Sequence, residues 1–139
     1  AFLFGLVGAA QLLGRIAFIP LGSLGTSTKR LSALLFCSML SLIALGLTDQ
    51  SMIWILFGAL AAGSVRGAQT LAIASTVSER WGTEAYASIY GKFNLPIAIG
   101  IACSPFLGEI TANALGSYQY ATLLFAASTL FAAIVALKN

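Results

Sequence analysis

Five long apolar runs, separated by short polar punctuation, organise the 139-residue chain. The first covers residues 2–21 and closes on Gly22-Ser23-Leu24-Gly25-Thr26-Ser27-Thr28-Lys29-Arg30. The others cover 31–47, 52–76, 84–112 and 118–137. A helix needs roughly 20 mainly apolar residues to span a bilayer, whereas a strand of a membrane barrel needs about ten that alternate apolar and polar. These runs have the helical length and do not alternate. The pattern predicts an all-α, polytopic transmembrane helical bundle of about five spans in a single domain. The links carry start signals that fit. Asp49 or Ser51 is expected to cap the third helix, Thr83 the fourth and Ser117 the fifth, each lending an oxygen to free N–H groups. Glu84 is expected in a first turn, where the helix dipole favours it.

Composition strengthens this reading. The chain is 59% apolar and 8% charged, with a mean hydropathy of +0.96, whereas a soluble domain is roughly 25% charged. Too few ionisable groups exist to cover a water-facing surface, so the expected main partner is the lipid bilayer. A net charge of +3 would suggest nucleic acid in a polar protein; here the cations follow the membrane instead. Lys29 and Arg30 lie in the first link, Arg80 in the third, and Lys138 after the fifth run. By the positive-inside rule these mark the cytoplasmic side. The expected location is the inner (plasma) membrane, multi-pass, with the C-terminus cytoplasmic. An odd number of spans then puts Ala1 outside, and a chain that begins on Ala1 within an apolar run is expected to continue upstream.

Cys37 and Cys103 fall in apolar runs and read as small packing residues rather than a disulfide. The chain has no histidine, and its few carboxylates stand in no nucleophile–base or metal-ligand spacing. No enzyme activity, metal or cofactor is expected, and no glycine-rich phosphate loop occurs. Small residues at four-residue spacing, Ala59, Gly63 and Gly67 in the third run and Gly100, Ser104 and Gly108 in the fourth, mark close helix packing. Pro96 and Pro105 interrupt the fourth run and should kink or loosen it.

Against this background Arg66 stands out, because it falls near the middle of its run. A central arginine costs ~2.5–3.5 kcal/mol to insert, so a carboxylate, carbonyls or a polar cavity must compensate. Gln69 and Thr70 share its helical face, with Gly63, Ser64 and Gly67 leaving space beside it. Arg66, Gln69, Thr70 and, on the fourth run, Asn94 are the candidate solute-binding residues. Arg15 and Lys92 lie close enough to an end to snorkel, Glu109 lies near the opposite end, and Glu79-Arg80 reads as a charged loop pair.

The order of these features resembles the C-terminal half of a major facilitator superfamily transporter. Gly14-Arg15, Pro20-Leu21-Gly22 and Lys29-Arg30 resemble that family's cytoplasmic loop motif, with Ser23 where an acidic residue is usual. Gly58 through Gly67, Glu79-Arg80-Trp81-Gly82, Tyr86, Gly91, Pro105, Gly108 and Gly116-Ser117-Tyr118 are similar in order and spacing to its tenth to twelfth helices. The resemblance implies helices eight to twelve of twelve and N-terminal helices of the same transporter as partners. It also implies a gating role for Gly14, Arg15, Gly22, Lys29 and Arg30, and secondary transport of a small solute by alternating access, ion- or proton-coupled. An organic anion suits Arg66. The competing expectation is a membrane scaffold or assembly subunit whose glycine ridges bind partner helices.

Overall fold

A computed structural model describes residues 2–22, 25–47 and 51–138. The described residues are all-α, in five helices: α1 (Phe2–Leu21), α2 (Ser27–Leu47), α3 (Met52–Trp81), α4 (Tyr86–Leu115) and α5 (Tyr118–Lys138). Four of them, α2 to α5, are long and apolar enough to cross a membrane, and α1 carries a shorter apolar stretch, Gly5–Pro20.

Helices extend past several of the apolar runs. Ser27 to Arg30 form the first turn of α2, and α3 continues through Glu79 and Arg80 to Trp81. Glu79-Arg80 is therefore not a loop pair but the last turn of a helix. The apolar pattern fades there because the helix outruns the apolar stretch, not because the backbone turns. Glycines end two of the helices. Gly82 (φ 73°) follows α3, its N–H donating to the Ser78 carbonyl, and Gly116 (φ 71°, ψ 4°) closes α4 in the left-handed conformation. That region carries a Cβ penalty for other L-residues.

The expected caps fare unequally. Ser117 caps α5, its Oγ accepting from Gln119 N–H at 3.1 Å. Ser51 occupies the N-cap of α3 without a side-chain cap bond, and Asp49 and Ser23 lie outside the described residues. Thr83 does not cap α4. That helix starts later, with Ala85 at its N-cap, so Thr83 and Glu84 precede it, and Thr83 contributes only its carbonyl, to Tyr86 N–H.

The helices run up and down. Arg30 at the start of α2 meets Gly22 after α1 and Glu79 at the end of α3, while Ser32 donates to the Ala133 carbonyl near the end of α5 at 3.0 Å. At the opposite end, Gly46 lies against Leu123 and Gly58 against Leu45. The packed pairs are α1 with α3, α2 with α3 and α5, and, more loosely, α4 with α5 and α3. Phe18, Leu34, Ala68 and Ala72 form the core where α1, α2 and α3 meet. The α1–α3 contact is the closest approach: a Cβ on Gly67 would meet the Gln11 backbone, and one on Gly14 the Ser64 backbone. This is how the Gly63–Gly67 ridge is used. The Gly100 and Gly108 ridge of α4 has nothing against it, and Ala112 is the single buried residue of that helix.

Candidate functional site

Arg66 lies 14 residues after the start of α3 and 15 before its end, roughly 21 Å from either terminus at 1.5 Å per residue. Its neighbours Gly63 and Gly67 are taken up by α1, so Arg66 itself emerges on the side of α3 that faces α2 and α5. There it lines a cleft of about 270 Å³ with Leu35, Ser38, Leu42, Ala62, Gln69 and Thr129. The cleft thus draws on three helices and mixes aliphatic walls with one cation, one amide and two hydroxyls.

The polar groups are held in definite states. Gln69, 8% exposed, donates from Nε2 to Ser38 Oγ at 2.8 Å, joining α3 to α2. Thr129 donates to the Phe125 carbonyl of its own helix at 2.8 Å. Arg66 is half-buried, and among the described residues the one ion pair is Arg30–Glu79, which leaves Arg66 without a carboxylate partner. The cleft therefore offers an unneutralised guanidinium midway along the longest apolar elements of the chain. Chemically it can accept an anion; no group of side chains among the described residues could hold a metal ion.

Of the candidate solute-binding residues, the structure brings Arg66 and Gln69 together. Thr70 is beside them in sequence, but its hydroxyl is spent on the Gly67 carbonyl at 2.7 Å and it does not line the cleft. Asn94 is half-buried on α4, away from the α2–α3–α5 cleft, so it is not gathered with Arg66. Ser38 and Thr129 were not legible in the sequence. Each is one hydroxyl in an apolar run, and the spacing within a helix does not reveal which helices will meet.

The loop-motif residues spread over one end of the bundle. Gly14 makes the close approach to α3, Arg15 is exposed on α1, and Gly22 follows α1. Lys29 and Arg30 sit in the first turn of α2, with Lys29 exposed and Arg30 8% exposed. Arg30 donates to both the Gly22 carbonyl and the Glu79 carboxylate, stapling the ends of α1, α2 and α3. Lys92 and Glu109 are exposed on α4.

No protein-family model, curated protein or solved structure matches the chain. What the geometry defines is an all-α chain of five helices, four of which are long and apolar enough to cross a membrane. Within it, one polar cleft centres on an arginine.

Proposed function

We propose that this chain is the C-terminal part of a multi-pass secondary carrier of the major facilitator type, spanning the inner membrane with all five helices. In this reading the Arg66 cleft binds a small organic anion during alternating access. The observation that carries the proposal is the state of Arg66: central on α3, lining a cleft, and free of any acidic partner among the described residues. An intramembrane ionisable residue facing a cavity is by default a functional one.

The surface supports the membrane setting. Ile19, Leu40, Leu47, Phe106 and Phe131 are each at least 60% exposed, a burden that water would not tolerate in a contiguous surface. Aromatic residues stand near both ends of the helices: Trp54, Tyr118 and Tyr120 near one, Trp81, Tyr86 and Tyr90 near the other, as in interfacial belts. Lys29, Arg30, Arg80 and Lys138 share the second end, which is then the cytoplasmic one.

The test is uptake by the full-length protein in proteoliposomes, with a panel of labelled small organic anions and an imposed proton or sodium gradient. Saturable, gradient-driven accumulation of at least one anion is expected. Folded protein that moves none of the panel contradicts the proposal and favours an assembly subunit.

A further inference from the structure

We infer that the seam between α2 and α5 holds an anionic phospholipid of the cytoplasmic leaflet, its headgroup phosphate between Lys29 and Lys138 and one acyl chain laid along the seam. This rests on the membrane setting proposed above and not on transport.

One bond fixes how the two antiparallel helices line up: Ser32 Oγ donates to the Ala133 carbonyl at 3.0 Å. Lys29 lies three residues before Ser32 and Lys138 five after Ala133, so both stand about 4–8 Å further toward the same end. Both are exposed. Neither α2 nor α5 carries an acid, and Glu79, at the neighbouring end of α3, is taken by Arg30. Two such cations at a membrane surface attract anionic headgroups.

Deeper along the same seam, Met39 and Ile43 of α2 and Leu123, Ala126, Ala127 and Leu130 of α5 line a groove of about 230 Å³. Every one of these side chains is apolar. On α2 the lining is offset by one residue from Ser38 and Leu42 of the Arg66 cleft, a rotation of about 100° that sets the groove on another side of the helix. Helical spacing places the cations on the groove side. Lys29, Phe36 and Ile43 recur every seven residues, and Lys138 stands four residues from Ile134 and eleven from Ala127; such intervals share one helix face.

Depth fits a lipid. Lys29 is ten residues from Met39 and Lys138 eight from Leu130, about 15 and 12 Å along the helices. Half of a roughly 30 Å hydrocarbon core is about 15 Å, so a chain whose headgroup meets the lysines reaches the groove at Met39 and Leu130. Free phosphate would meet the cations and leave the groove empty. A zwitterionic lipid would fill the groove but bring a cation of its own to the lysines. An anionic phospholipid satisfies both.

The test uses full-length protein purified in detergent, with phosphatidylglycerol, phosphatidylcholine and glycerol phosphate as probes and melting as the readout. Phosphatidylglycerol is expected to raise the melting temperature saturably, with the other two at least tenfold weaker. Lys29→Gln combined with Lys138→Gln should weaken phosphatidylglycerol at least tenfold. Arg80→Gln removes an exposed cation from the same end but from α3, and should change binding less than twofold. Ala127→Trp fills the groove, keeps both lysines, and should abolish the shift; if it fails to fold, the lysine pair decides alone. Equal shifts from phosphatidylcholine or glycerol phosphate overturn the inference. So does a loss on Arg80→Gln as large as that of the lysine pair, which would mean diffuse surface charge. Alkaline extraction of the protein from vesicles separates the two proposals. A protein that resists extraction but shows no preference for phosphatidylglycerol keeps the membrane setting and loses this inference. A protein released into the supernatant loses the membrane setting itself.

Discussion

Arg30 shows how one side chain turns a weak sequence signal into architecture. In the sequence it is half of a Lys-Arg pair in a polar link. In the structure it is buried at 8% exposure, and its two nitrogens reach the Gly22 carbonyl and Glu79, whose side chain is 43% exposed. Half-exposed ion pairs are screened, so the pair itself should contribute less than about 1 kcal/mol. The loss of Arg30 also leaves the Gly22 carbonyl without this donor. Arg30→Ala should therefore destabilise more than Glu79→Ala, and a double-mutant cycle followed by melting in detergent should show a coupling below about 1 kcal/mol. Equal effects of the two single changes would mean that the carbonyl bond contributes nothing. The site residues divide along the same line. Arg66 and Gln69 were legible because they share one face of one helix and because charge in an apolar run is conspicuous. Thr70 satisfies that spacing too, yet its hydroxyl turns back to the Gly67 carbonyl, a local competition that spacing cannot reveal. Ser38 and Thr129 were hidden because the cleft is a tertiary object, assembled from α2, α3 and α5.

At the scale of elements, the two glycine ridges carry opposite expectations although they look alike in sequence. Gly67 sits against the Gln11 backbone, whereas Gly100 has open space beside it. Gly67→Val should force α1 off α3 and cost about 1–3 kcal/mol or more, as overpacking does in tight cores. Gly100→Val leaves the contacts among these five helices untouched. Melting of the two variants in detergent checks this, and equal losses would show that the Gly100 face of α4 is packed against something other than these five helices. The existence and order of the helices were legible because each run holds 17 to 29 mainly apolar residues without alternation. Their ends were less so. At α3 the helix outruns its apolar stretch to Trp81 and is stopped by Gly82. At α4 a turn containing Thr83 delays the start to Tyr86. Backbone hydrogen bonding decides those ends, and hydropathy does not report it.

For the whole molecule, the arrangement of charge makes a directional statement. The described basic residues at helix ends, Lys29, Arg30, Arg80 and Lys138, stand together at the end where α1, α3 and α5 finish. With Cys37 and Cys103 replaced by serine, a cysteine introduced at Lys29 should react with a membrane-impermeant maleimide only from the cytoplasmic side, and one at Tyr118 only from outside. Labelling of both from one side would contradict the up-and-down reading of the spans. The site sits between these ends, where a central arginine costs ~2.5–3.5 kcal/mol to insert; in the proposed carrier a bound anion would offset that cost.

The most direct measurement is therefore uptake by full-length protein carrying Arg66→Ala or Arg66→Lys, at matched amounts of folded protein in the bilayer. Both variants should reach the membrane folded, with Arg66→Ala losing uptake at least tenfold and Arg66→Lys retaining a part, since lysine keeps the charge but not the planar fork. Uptake by Arg66→Ala at the wild-type rate would remove Arg66 from the transport path. Loss of folded protein in both variants would make it a structural tie, and the carrier site would have to be sought elsewhere.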